Sequence, residues 1–207
     1  MLKNDVPPAL PLWINGHAFL TLTPAFQDVT GPHGSEVLRR TPLCGADEVR
    51  MAVVAAQAAL ACWAGMSETA RISLLSAVGD ALASYAGHFA RLISEENGNE
   101  SFPSVTEVSD AVALLRSAMA GKEAGVVAVI GNREAPLLGP LRLAVSALAA
   151  GSVVVIRPCA KTPSALFALA ELTGRCGFPD GVFNIVYGGE TVVDSLRASR
   201  DVSLLLS

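Results

Sequence analysis

A chain of 207 residues is expected to form one compact domain, long enough to bury a core without disulfides or a structural metal. Hydrophobic residues make up 51% and charged residues 16%, with mean hydropathy +0.46, which excludes a disordered chain and argues for a densely buried fold. A net charge of −4, with no Lys/Arg cluster, has the wrong sign for a dedicated nucleic-acid binder.

The first residues, MLKNDVPPALPLW, place an acidic side chain and three prolines where a signal peptide needs an apolar run, so a cytoplasmic protein is expected. Residues 1–44 are rich in Pro, Gly and His and read as an extended β arm. LWING, HAFLTL, AFQDVT and EVLRRTPL are short strands separated by turns, and they need a larger body to lie against. Residues 45–207 then hold a helical region and an α/β layer.

A helix is predicted from Ala46. Asp47 and Glu48 occupy its first turn, where carboxylates suit the positive end of the helix dipole, and Val49, Val53, Ala56 and Leu60 mark its buried face. A second helix, capped by Ser67, carries a stripe of Leu75, Val78, Leu82, Tyr85, Phe89 and Leu92 until Asn97-Gly98 stops it. A third runs from about Pro103, with Val105, Val108, Val112, Leu115 and Met119 inward.

The pattern changes after Gly125. Apolar runs at Val126–Ile130, Val153–Ile156, Val182–Val186 and Ser203–Leu206 alternate with helical segments at about Pro140–Ala150, Pro163–Arg175 and Glu190–Ser199. Leu137–Ile156 is apolar enough to suggest a membrane, but Arg142 and Gly151-Ser152 divide it into a buried helix and a buried strand. Strands that are apolar throughout and alternate with helices predict an α/β fold: a Rossmann-like parallel sheet covered by helices on both faces. A binding crevice then lies at the C-terminal strand ends, in the loops Gly131–Pro136, Arg157–Pro163 and Tyr187–Glu190.

Cys44, Cys62, Cys159 and Cys176 are widely separated and His17, His33 and His88 scattered, so buried structural thiols are expected and no metal site. Neither GxGxxG nor a Walker A loop occurs, and Gly188-Gly189 reads equally well as a plain turn. Arg157 and Lys161 put two cations beyond a strand end at a helix entrance, an arrangement that suits a phosphate, although the spacing alone favours a solvated surface.

Gly125–Gly189, with ALAAGSVVVIRPCAKTP and GFPDGVFNIVYGG, resembles the cofactor-binding half of the aldehyde dehydrogenase superfamily. WINGH (Trp13–His17), Asp47-Glu48-Val49, Arg71 and Ser94-Glu95-Glu96-Asn97-Gly98 resemble that family's N-terminal region. The resemblance covers nearly the whole chain and implies an NAD(P)-binding layer. Its candidate cofactor residues are Ile130, Arg157 and Lys161, with Gly188 and Gly189 near the adenine.

The same resemblance implies departures that fall on chemistry. The chain stops before the family's glycine loop, general-base glutamate and nucleophilic cysteine, so a truncated homologue is expected. A thiolate must attack the aldehyde before hydride can leave for the nicotinamide, and no cysteine here sits in the family's setting. Glu134 stands where the family has its oxyanion asparagine, with Asn132 as the alternative if the loop is offset. A carboxylate cannot donate, and losing one such donor costs about 3 kcal/mol of transition-state stabilisation. Ala160 replaces the carboxylate that grips the ribose, so NADP is expected over NAD if a dinucleotide binds at all. Only about Gly121–Ala124 stands in for the family's oligomerisation hairpin.

These features lead to the expectation of a protein that is not catalytic alone and acts as a structural or regulatory partner. Two alternatives stand beside it: one subunit of a split dehydrogenase, and a free-standing dinucleotide-binding module. In each case a second protein chain is expected to cover the apolar strand at Ser203–Leu206.

Overall fold

A computed structural model describes residues 7–23, 25–32, 34, 36–98, 101–122 and 125–207. In chain order the elements are β1 (Leu12–Ile14), β2 (His17–Phe19), β3 (Phe26–Thr30), β4 (Val37–Pro42), α1 (Ala46–Gly65), α2 (Glu68–Ser84), α3 (Ala86–Asn97) and α4 (Ser101–Arg116). The α/β half follows: β5 (Val126–Ile130), α5 (Leu138–Ala150), β6 (Val153–Arg157), α6 (Ser164–Arg175), β7 (Phe183–Ile185), α7 (Glu190–Ala198) and β8 (Leu204–Leu206).

Six strands form one sheet in the order β2-β1-β7-β6-β5-β8, and β3 and β4 form a separate antiparallel pair. Strands β5 to β8 run parallel, and Val126–Val129 and Val153–Ile156 are fully buried, as a sheet covered on both faces requires. The connections β5-α5-β6 and β6-α6-β7 advance across the sheet, whereas β7-α7-β8 returns to its far side. Right-handed crossovers therefore put α5 and α6 on one face and α7, beside α1, on the other. Helices α2, α3 and α4 pack behind α5 and α6 as an outer layer. The reversal of direction makes the C-terminal ends of β5 and β8 the switch point of the sheet.

The N-terminal arm lies against the larger body. Its first hairpin extends the main sheet: β1 pairs antiparallel with β7 through Trp13 and Ile185, and β2 lies outside it. Asn15 (φ 54°) and Gly16 (φ 77°) make the two-residue turn, the positive-φ pair that matches strand twist in a tight hairpin. The ring of Trp13 meets Phe167 of α6 edge-on at 6.3 Å, and Asn184 Oδ1 accepts the Asn15 N–H at 3.1 Å.

The predicted second helix is two helices. It breaks at Tyr85, which is 49% exposed and not part of a buried stripe. The break lets α2 lie on α4, α5 and α6 while α3 turns onto α4 and α6, burying Phe89 and Leu92. In α4, Val108, Val112 and Leu115 are buried as predicted, but Val105 lies outward and Met119 falls beyond the helix, 78% exposed. The thiol prediction also needs correction: Cys44 is buried, Cys159 and Cys176 are half-buried, and Cys62 is exposed on α1.

Arg71 shows why one of the family-like residues is kept inside. Its side chain is buried, and its guanidinium donates to Ala149 O at the end of α5 (2.9 Å) and to Ala64 O (3.3 Å) and Met66 O at the end of α1. Two helix C-termini with unpaired carbonyls are thus satisfied by one cation, which also suits their negative dipole ends.

Candidate functional site

Sheet register brings the predicted residues together. Ile130 at the end of β5 lies directly opposite Arg157 at the end of β6, and the Gly131 N–H donates to Arg157 O at 2.8 Å. The Arg157 side chain turns the other way along the strand ends, and its Nε donates to Gly188 O at 2.9 Å. One residue therefore ties all three predicted loops into a single rim. Lys161 is exposed in the turn that follows, where the Thr162 N–H donates to Cys159 O at 3.1 Å.

Gly188 and Gly189 differ in kind. Gly188 is buried with φ 146°, and a Cβ there would sit 2.5 Å from Val192 Cγ2, so packing against α7 already demands glycine. Gly189 is exposed and caps α7, accepting the Val192 N–H at 3.1 Å, and a Cβ on it would meet nothing within 4 Å. Of the pair, only Gly189 leaves open space on the side of the rim.

The loop after β5 is built by side chains from elsewhere. Asn132 Oδ1 accepts the Ala135 N–H at 3.1 Å, which commits the side-chain carbonyl of Asn132 to the turn. Arg133 and Asn97 exchange two hydrogen bonds: Asn97 Nδ2 donates to Arg133 O (3.1 Å) and Arg133 Nε donates to Asn97 Oδ1 (3.2 Å). Glu107 Oε1 accepts the N–H groups of Leu137 (2.8 Å) and Leu138 (3.0 Å), so α5 is capped by a carboxylate from α4. Burial raises the Glu107 carboxyl above its ordinary value, opposed by those two N–H groups and by the charge of Arg142. Glu134 is exposed and lines a groove of about 400 Å³ together with Glu107, Asp110, Thr106 and Leu138.

The loop after β6 is held from α3 in turn. Glu96 is buried at 2% exposure, and its carboxylate accepts the Ser164 N–H at 3.2 Å and the Ser164 hydroxyl, at the start of α6. Arg39 of β4 donates to Glu96 at 3.3 Å and to Glu95 at 3.2 Å. Burial raises the Glu96 carboxyl, the Ser164 hydrogen bonds and Arg39 oppose the rise, and the Glu95 charge adds to it. Two hydroxyls beside this loop, Thr162 Oγ1 and the Tyr187 phenol, are buried with no hydrogen-bond partner among the described residues.

Local sequence signals did not reveal the tasks of Glu96, Asn97 and Glu107. Their partners lie 68, 36 and about 30 residues further along the chain, and no spacing rule reaches that far. In the sequence, Asn97 marks a helix stop, and it stands with Glu96 in a family-like pentapeptide.

Cys44 and Cys176 are pushed toward the thiol form, away from the activated thiolate that carries covalent aldehyde chemistry. Burial pushes the Cys44 thiol up to about 12; a Tyr187 backbone hydrogen bond opposes this and the charge of Glu48 adds to it. Cys176 is also raised, by burial first and then by Asp80.

Comparison with known proteins gives a consistent picture. The profile described as "Aldehyde dehydrogenase family" matches residues 22–124 and 121–206. Succinate-semialdehyde dehydrogenase (NADP+) of Escherichia coli K12 is 31% identical over 202 residues, covering 87% of this chain and 42% of that protein. Malonate-semialdehyde dehydrogenase 1 of Shouchella clausii is 29% identical, covering 93% and 44%. The crystal structure of lactaldehyde dehydrogenase from E. coli superposes with TM-score 0.90 at 27% identity, over 97% of this chain and 47% of that one. Aldehyde dehydrogenase C of Pseudomonas syringae, solved with NAD+ and octanal, superposes at 0.85 with 27% identity, over 95% and 44%. The chain thus spans about half the length of the relatives it matches.

Proposed function

This chain belongs to the aldehyde dehydrogenase family, and from that premise we propose that it serves as the family's dinucleotide-binding half, inert toward aldehydes by itself. The observation that carries this reading is the joined rim, in which Arg157 accepts from the Gly131 N–H and donates to Gly188 O across three parallel strand ends.

The donor set fits a dinucleotide phosphate. Arg157 and Lys161 supply two cations, and residues 157–163 contain no carboxylate to repel a 2′-phosphate. Arg157 spends Nε on Gly188 and so holds a fixed orientation at the rim. One of the relatives is described as an NADP+ enzyme and one was solved with NAD+, so both cofactors occur among proteins of this shape. When bound, such a cofactor would supply hydride transfer. This chain's residues would bind and orient it.

The aldehyde side is where the chain falls short. Glu134, at the place given by resemblance to the oxyanion asparagine, presents an acceptor where a donor is needed. A buried Cys44 held as a thiol cannot replace a nucleophilic thiolate. Titration of the full chain is expected to give saturable NADP+ binding, tighter than NAD+, with no NADPH formed from a semialdehyde. Aldehyde oxidation by the chain alone, or NAD+ bound more tightly, overturns the reading.

A second reading is favoured by one observation. β8 is hydrogen-bonded to β5 on one side and ends the sheet, with Leu204 42% exposed. A strand edge of this kind is a template for another strand. The chain would then be one subunit of a split dehydrogenase, its partner covering β8 and supplying the cysteine. Mixing with a polypeptide that carries a dehydrogenase catalytic domain would restore turnover in that case.

A further inference from the structure

The last turn of α3, Ser94-Glu95-Glu96-Asn97-Gly98, touches both flanking loops of the rim. Glu96 holds Ser164, the first residue of α6, directly after the Arg157–Pro163 loop. One residue later, Asn97 holds Arg133, in the middle of the loop after β5. Adjacent residues near a helix end are splayed by about 100° around its axis, which lets neighbours reach two different loops. The turn is itself fixed from two sides. Gly98 closes α3 with φ 71°, where a Cβ would lie 2.2 Å from Pro32 Cβ, and Arg39 of β4 grips both Glu95 and Glu96.

We propose that Glu96 and Asn97 are the positioning residues of the candidate dinucleotide site, setting the separation of the β5 and β6 loops from one rigid helix end. The assignment rests on the dinucleotide reading above for its ligand, but the bracing of the loops stands apart from it. Neither side chain needs to touch a ligand. Glu96 acts through the backbone and hydroxyl of Ser164, and Asn97 through the backbone and side chain of Arg133. A ligand site held this way meets the cofactor already formed, so loss of the brace appears as weaker binding and faster loop opening.

The test uses the full chain with Glu96→Ala, Glu96→Gln and Asn97→Ala. Hydrogen exchange is read over residues 131–137 and 160–166, and NADP+ is titrated in parallel. Asn97→Ala is expected to speed exchange in 131–137 alone, and Glu96→Ala in 160–166 alone. Each weakens NADP+ by about fivefold or more, since one net hydrogen bond is worth about fivefold and each variant removes at least two. Glu96→Gln keeps an oxygen for the Ser164 N–H and is expected to restore both readouts toward wild type. Asn97 is partly exposed, so its variant keeps the test decisive if Glu96→Ala does not fold. Unchanged exchange in both loops overturns the proposal, as does a Gln variant as disturbed as Ala. If wild type binds no NADP+, the dinucleotide reading fails, and the exchange result still decides whether the brace exists.

Discussion

Buried charge carries much of the specificity of this fold at the scale of single residues. Arg71 and Glu96 are both almost wholly enclosed: Arg71 pairs several helix-end carbonyls, and Glu96 joins the Ser164 N–H and hydroxyl to Arg39. Their electrostatics differ. Arg71 faces carbonyls only among its hydrogen-bond partners, whereas Glu96 faces Arg39, Ser164, the charge of Glu95 and the Tyr187 phenol. Because burial raises the Glu96 carboxyl above its ordinary 4.5, the folded chain holds that proton more tightly than the unfolded chain. Its contribution to stability is therefore complete below pH 4.5 and is lost as pH rises through the elevated folded value. Glu96→Gln removes this titration. Urea midpoints measured from pH 4 to 8 are expected to show wild type losing ground to the Gln variant as pH rises, then running parallel to it.

Junctions between elements depend on backbone approach as much as on side chains. The turn before β7 passes so close to α1 that a Cβ on Gly181 would lie 2.4 Å from Ala55 O, at φ 84°. Gly34, at φ 68°, has open space around it. Both substitutions to Ala are strained by the backbone, but only one also forces α1 off the sheet. Gly34→Ala is expected to cost about 1 kcal/mol and Gly181→Ala about 3 kcal/mol or more, read from denaturation midpoints. Equal losses would mean that α1 can shift freely over β7. The break at Tyr85 belongs to the same scale: both halves of the predicted helix are helical, and their division is set by which neighbours each must cover.

At the scale of the fold, the covered six-stranded sheet ends in β2 on one side and β8 on the other. α1, α5, α6 and α7 enclose β5, β6 and β7, and β1 and β2 shield the β7 side, while β8 closes the other side with three leucines. Strand edges of apolar residues invite strand addition, and an inserted lysine is the common protection against it. If β8 recruits a second copy, Leu204→Lys is expected to abolish concentration-dependent association in sedimentation velocity while lowering the unfolding free energy by no more than about 0.5 kcal/mol. Association unchanged by the substitution would place the contact on another surface.

The α/β half was legible residue by residue because its signals are local. Val126–Ile130 and Val153–Ile156 are uninterrupted apolar runs set off by glycines, and such runs fit only a sheet buried on both sides. Position in that alternation also placed Ile130, Arg157 and Gly188 at strand ends, and the structure brings them into one rim. Periodicity could not show that the Tyr85 stripe divides, that the first hairpin joins the sheet through Trp13 and Ile185, or that Val105 faces outward. Those outcomes depend on which surface arrives opposite each element. The same holds for Glu96, Asn97 and Glu107, polar residues whose partners stand on other elements. Sequence alone determined the alternation of strands and helices, because burial on both faces is written into each run. Only the tertiary structure decided which buried charges brace the loops, because hydrogen bonds across tens of residues leave no periodic trace.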